Sequence, residues 1–382
     1  MENRYKTVGL VTFSWPEAGD LLLSDMVDIF SNLADQLYIV AWGKSERFYE
    51  SKSENVKVSE VYHKDGSNPL FSIVNLTITQ LKIAFKMLQF RRGIDVWVFG
   101  LGTDGMIIPC LTAKMLNLPI LIYPVGSATK VAKVTKDATA TAFSILNVFN
   151  YSLANMLMVD SNRLIEEYGL KRFLQKVVNG HIQFIHADKF NVQKPLHQRK
   201  CLVGFVGRLS QEKGILNFLE AIPLTLNIRD DISFLIIGDG PLRPIVEGKI
   251  RQNDLSSKVD FIGWVPHDDL PSYLNELMLL VIPSYSEGGP LISFEAMACA
   301  TPVLSTPVGL IPDSISDGKT GFIMENNSPE CIARNIIRAI QHPELESIAT
   351  KGFMFVGNER SYNAALISVN ECIKALTEKT KN

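Results

Sequence analysis

The strongest constraint in this sequence is a repeated pattern: short, unbroken apolar runs of strand length, with longer stretches of helical spacing between them. The runs near 7–13 (TVGLVTF), 37–42 (LYIVAW), 96–100 (VWVFG) and 119–124 (PILIYP) form one series. A second comprises 201–207 (CLVGFVG), 234–240 (FLIIGDG), 259–264 (VDFIGW), 279–284 (LLVIPS) and 302–309 (PVLSTPVG). A strand with one face in water alternates apolar and polar side chains, whereas a strand covered on both faces reads as continuous Val, Ile, Leu and Phe. Such strands alternating with helices predict parallel sheets with helices on both sides. The expected fold class is therefore α/β, with two Rossmann-like, doubly wound domains.

Between the two series lies HADKFNVQKPLHQRK, residues 186–200, which is polar and basic without periodicity and reads as an interdomain linker. The domains fall at 1–190 and 200–354 of the 382 residues, in line with roughly 100–200 residues per domain. Past residue 350 only helical material follows, and a helix over about 355–382 is free to pack back on the first domain.

Thirty-eight basic residues against 40 acidic ones leave no basic excess for a nucleic-acid backbone, so a small substrate or another protein is the expected partner. The five cysteines are widely spaced with no C-x-x-C pair and read as reduced thiols of a cytoplasmic protein. The N-terminus lacks the long apolar stretch of a signal peptide, and no apolar run approaches the ~18 residues that span a bilayer. Any membrane contact would thus be peripheral. The stretch 78–136 is where such contact could fall, with Lys82, Lys86, Arg91, Arg92, Lys114, Lys130, Lys133 and Lys136 against only Asp95 and Asp104. Within it LKIAFKMLQFRR mixes apolar and cationic positions at helical spacing, either a core helix with a solvated face or a helix for an anionic membrane surface.

Doubly wound sheets bind ligands beyond the carboxyl ends of their strands, and two facing sheets make an interdomain cleft, the expected site. One candidate segment runs from Gly204 through Gly207 and Arg208 to Lys213 and Gly214. Its glycines let backbone amides approach a phosphate at a helix start, and its two cations suit a diphosphate. A second runs Pro283-Ser-Tyr-Ser-Glu287-Gly288-Gly289-Pro290-Leu291, with Glu295 in the second turn of the helix that Pro290 opens. A loop carboxylate and a helix carboxylate flanking free amides suit a ligand with hydroxyl groups at both ends of a diphosphate, although a capped helix with one solvated glutamate would read the same way.

Glu287 and Glu295 followed by Ala-Met-Ala-Cys-Ala-Thr-Pro-Val, together with Gly207-Arg208-Leu, Lys213-Gly214, Gly238-Asp-Gly-Pro241, Phe261-Ile-Gly-Trp264 and Asp317-Gly-Lys-Thr-Gly321, resemble the retaining glycosyltransferases of family 4, of GT-B fold. The match runs in order from about 201 to 324; the first domain resembles the family only in layout. The resemblance implies a hexosyltransferase of polysaccharide-biosynthesis type that moves a sugar from a nucleotide-sugar donor to a glycan, lipid or small-molecule acceptor. By the same resemblance Arg208 and Lys213 hold the donor diphosphate and Glu295 the ribose hydroxyls. Glu287 lies at the transferred sugar, Gly207 and the stretch Gly288, Gly289, Pro290 and Leu291 at phosphate or sugar, and Trp264 beside the base. Arg208, Lys213 and Glu287 are thus the catalytic candidates, and Gly19, Gly126 and Ser127 fall on the acceptor side.

Three positions depart from the family. Val125 replaces a common histidine or arginine, Ala300 a glycine, and Leu310 the second glycine of a Gly-Gly-Ile-Pro-Glu pattern. Six histidines without metal spacing and the absence of any D-x-D predict no metal and no cofactor beyond the donor substrate. Two alternatives stay open: another GT-B enzyme such as an epimerase, and a non-catalytic nucleotide-sugar binding protein, for which Val125 is the motive.

Overall fold

The computed structural model describes residues 5–13, 20–43, 54–64, 69–91, 93–125, 138–287, 289 and 291–381. The chain divides into two compact units, Met1–Phe184 with Tyr362–Asn382, and Ile185–Ser361.

The first unit is built on seven parallel strands: β1 (Tyr5–Phe13), β2 (Ala34–Gly43), β3 (Val56–Tyr62), β4 (Val96–Phe99), β5 (Ile120–Ile122), β6 (Met156–Val159) and β7 (Val177–Asn179). Their order is β3-β2-β1-β4-β5-β6-β7. The second unit carries β8 (Leu202–Val206), β9 (Ser233–Ile237), β10 (Val259–Gly263), β11 (Leu279–Ile282), β12 (Val303–Ser305) and β13 (Phe322–Ile323), ordered β10-β9-β8-β11-β12-β13 and again parallel. The strand order reverses between β1 and β4 in one sheet and between β8 and β11 in the other. Ligands of such sheets enter at these switch points.

All nine apolar runs became strands, and β4, β6 and β11 are buried along their whole length. Four strands were not expected. β3 lies at the sheet edge and alternates instead of running apolar, β6 follows a helix without a glycine or proline break, and β7 and β13 have three and two residues.

The stretch 186–200 is not a solvated linker; it is a packed part of the second unit. Phe190 and Leu196 are buried in that unit's core, and Arg199 is only 5% exposed. Its polar composition misleads because Arg199 is satisfied by main-chain carbonyls and Asn275 Oδ1 accepts from the backbone N–H groups of Gln193 and Lys194. The helix Leu345–Glu359 also stays with the second unit, and the chain rejoins the first at Tyr362 and not near 355. From Tyr362 the helix to Lys381 adds Ala365, Leu366, Val369, Cys372, Ile373 and Leu376 to the first unit's core. That core also holds Val8, Leu10, Met26 and Phe30.

Ala300 has φ +49°, a left-handed backbone that glycine adopts without strain. This accounts physically for the glycine usual at that position. Ala300→Gly is expected to stabilise the second unit by about 0.5–1 kcal/mol, read as a higher denaturation midpoint. A lower midpoint would contradict this account of the strain.

Candidate functional site

At the carboxyl ends of β8 and β11, the switch point of the second sheet, lies a cavity of about 300 Å³. Its wall includes Phe205, Val206 and Gly207 from the end of β8, Ile282 and Ser284 from β11 and its exit, Lys213, Glu287 and Gly289 from loops, and Leu291, Ile292 and Glu295 from one helix. The volume is at the lower end of the range for small-molecule sites.

Each polar group in the wall is held by local structure. Lys213 ends a short turn after β8 and is followed by Gly214, whose φ of +71° places it in the left-handed region. A Cβ on Gly214 would strike the carbonyl oxygen of Pro283, so the turn can approach the end of β11 only with glycine here. The exit of β11 is pinned in turn: Thr306 Oγ1 donates to Ser284 O at 2.6 Å, and Asn327 Nδ2 donates to Pro283 O at 3.1 Å. The helix Leu291–Ala298 then begins beside the cavity and directs the positive end of its dipole toward it.

Lys213 Nζ donates to both oxygens of Glu287, at 2.6 and 2.7 Å, and Ser284 Oγ donates to Glu287 Oε1 at 2.8 Å. The lysine and glutamate side chains are 29% and 10% exposed, so the pair is partly shielded from water. Glu295 is 4% exposed and its Oε1 lies 2.6 Å from His267 Nε2, where an ionised carboxylate accepts the ring N–H. The imidazole rests against Phe190, ring centroids 5.1 Å apart, so the misread stretch 186–200 helps hold this second carboxylate.

The fold therefore brings Gly207, Lys213, Glu287, Gly289, Leu291 and Glu295 to one cavity. Arg208 does not join that wall; it is exposed on the turn after β8 and does not converge there with Lys213. Its charge reaches Glu212: burial acts to raise that carboxyl, but the Ser210 hydroxyl, the backbone, Arg208 and Lys213 together hold it below the ordinary range. Trp264 follows β10 and is largely exposed. Gly288 and Pro290, and on the acceptor side Gly19, Gly126 and Ser127, lie outside the described residues. Val125 packs against the first unit's core and borders a small cavity with Asp104, Asn147 and Asn150. Leu310 is buried, and its side chain occupies the space into which a Cβ on Gly289 would point.

Sequence reasoning missed Ser284 and His267. Ser284 lies three residues before Glu287, but nothing in the spacing singles it out. His267 stands alone in Pro266-His-Asp-Asp269, 28 residues from its partner Glu295, and no local pattern links them. No cluster of three or more His, Cys, Asp or Glu side chains suited to a metal ion occurs among the described residues.

Residues 187–352 match the family of group 1 glycosyl transferases. That segment falls inside the second unit, which is thus a group 1 glycosyltransferase domain. A glycosyltransferase of Methanocaldococcus jannaschii is 26% identical over 344 residues, 86% of this chain and 89% of that protein. The 2-deoxystreptamine glucosyltransferase of Streptomyces kanamyceticus is 31% identical over 144 residues, 37% of each chain. Among solved structures, Anabaena HepE in complex with UDP and glucose superposes with a TM-score of 0.74 at 14% identity, over 97% of this chain and 100% of that one. The likeness to HepE is one of fold, and the chain has the GT-B architecture of two Rossmann-like units.

Proposed function

We propose that the chain is a retaining hexosyltransferase that binds its nucleotide-sugar donor in the cavity of the second unit. The observation that carries this reading is the convergence of Lys213, Glu287 and Glu295 at the β8/β11 switch point, inside the segment that matches the glycosyltransferase family. Lys213 and the start of the helix Leu291–Ala298 offer positive charge to a diphosphate. Glu295, oriented by His267, accepts from the ribose hydroxyls, and Glu287 from a hydroxyl of the transferred sugar. In the proposed reaction an acceptor hydroxyl oxygen bonds to the anomeric carbon as the bond to the diphosphate oxygen breaks on the same face. The acceptor proton passes to the departing diphosphate, whose new negative charge Lys213 and the helix start stabilise. This chemistry needs no metal or added cofactor, and activity is expected to survive EDTA. A glycan, lipid or small-molecule acceptor met in the cytoplasm or at the inner face of its membrane is consistent with this chemistry.

The test is a thermal-shift screen over UDP, GDP, ADP, CDP and dTDP and their sugars, followed by Glu295→Gln. One base should raise the melting point, since ligand at 100 times its Kd adds about 2.7 kcal/mol to the folded state. Glu295→Gln should lose most of that shift with free nucleotide and with nucleotide sugar alike. No shift with any nucleotide, or an unchanged shift in the variant, would sink the assignment. Val125, turned into the apolar core, favours one second reading, a donor-binding protein without turnover. Release of nucleoside diphosphate from the matching donor in the presence of acceptor separates the two.

A further inference from the structure

The helix Pro69–Gln89 is apolar on two opposite sides. Ile83, Ala84 and Met87 are buried in the first unit. On the other side Val74, Ile78, Leu81, Phe85 and Leu88 form one continuous row at alternating spacings of four and three residues, and all five are exposed, Leu81 by 55% and Phe85 by 60%. A helix apolar all round is normally covered on every side. The neighbouring helix Ile107–Met115 extends the exposed apolar surface with Leu111 and with Met115, 83% exposed, and the helix Ala138–Leu153 adds Ile145 and Phe149. Scattered single exposed apolar residues are ordinary, but a row shared by three packed helices is not.

The charge on this surface identifies what covers it. None of the three helices carries an aspartate or a glutamate. Lys82 and Lys86 flank the row along one side, Lys114 lies on the next helix, and Arg91 follows the first. A second copy of the same face would oppose like charges with no carboxylate to pair them. A surface of anionic phospholipid meets both demands, because headgroups neutralise the lysines while the acyl boundary receives Phe85, Leu81 and Met115.

We propose that this face of the first unit docks the enzyme on an anionic bilayer, lying in the interface without crossing it. No described helix is long and apolar enough to span a membrane. The proposal is independent of what the second unit binds.

The test is flotation of the full chain with vesicles of 30% phosphatidylglycerol in phosphatidylcholine, against phosphatidylcholine alone, at low and at 0.5 M salt. Binding to the anionic vesicles should be at least tenfold tighter and should weaken with salt. Leu81→Ser with Phe85→Ser, and separately Lys82→Glu with Lys86→Glu, should each lower it tenfold or more. Their melting points should not fall, because the replaced apolar groups are exposed. Equal binding to both vesicle types, or anionic binding that both double variants retain, would overturn the proposal. So would the absence of vesicle binding together with concentration-dependent dimerisation that Leu81→Ser with Phe85→Ser abolishes, which would make a second copy the occupant.

Discussion

Glu287→Gln and Lys213→Ala are expected to shift the affinity for free nucleoside diphosphate in opposite directions while both lower turnover about 100-fold or more. Glu287 is the main neutraliser of Lys213, taking hydrogen bonds from its Nζ on both carboxylate oxygens. Glutamine keeps the volume and one acceptor but removes the charge, leaving the ammonium with greater attraction for a diphosphate. Binding of free nucleotide should tighten a few-fold, and turnover should fall because the proposed acceptor for the transferred sugar is weakened. Lys213→Ala does the reverse. It deletes a charge-assisted bond worth roughly 1.5–3 kcal/mol, about 10- to 150-fold in affinity, and leaves a carboxylate 10% exposed beside the anion. Titration calorimetry with the diphosphate alone, then steady-state rates with the sugar donor, separates the two. Affinity changes of the same sign, or unchanged turnover in both, would reduce the pair to a structural ion pair.

Arg199→Met is expected to destabilise the second unit by about 3–5 kcal/mol, a large fraction of a domain's stability. The guanidinium is buried and meets oxygens rather than a carboxylate. Its Nη1 donates to Leu277 O at 2.9 Å and Thr301 Oγ1 at 2.6 Å, and its Nη2 to Cys299 O at 2.7 Å and Lys194 O at 2.8 Å. Burial acts to lower its pKa, with a partial countereffect from Cys299 and Glu276. Methionine fills much of the same space but leaves the carbonyls without donors, at about 1–3 kcal/mol for each that water cannot reach. Lysine should recover only part of the loss, since one ammonium cannot fan out to oxygens that a planar fork reaches. Urea denaturation followed by circular dichroism gives the value. A loss below 1 kcal/mol would mean that water replaces the guanidinium without cost.

What the sequence revealed and what it hid divide along one physical line. The nine expected strands were legible because burial on both faces leaves a local signature, uninterrupted branched and aromatic residues. β3 was hidden because an edge strand needs no such composition, and β13 because two residues carry no period. At the site, Glu287 and Glu295 were legible from a loop, two glycines and a helix start in one short segment. Their partners were not: His267 and Arg199 act through atoms distant in sequence, Glu295 in one case and Leu277 and Cys299 in the other. A polar stretch looks solvated from composition alone, and only the folded chain shows that Arg199 donates to Leu277 O just before β11 and to Cys299 O and Thr301 Oγ1 after the helix Leu291–Ala298.

The division of the chain also sets an order on its biosynthesis. The second unit is continuous, Ile185–Ser361, and can close as soon as it leaves the ribosome, whereas the first is interrupted after Phe184 and resumes only at Tyr362. At roughly 5–20 residues per second, the missing helix arrives on the order of ten seconds or more after the rest of its unit. Until then the positions that Leu366, Val369 and Ile373 will cover stand open on the nascent chain, beside the helix Asp20–Leu33 and β7. Chaperone capture during synthesis should concentrate on that incomplete unit, and an early stop codon after Ser361 would leave it open for good while sparing the second unit.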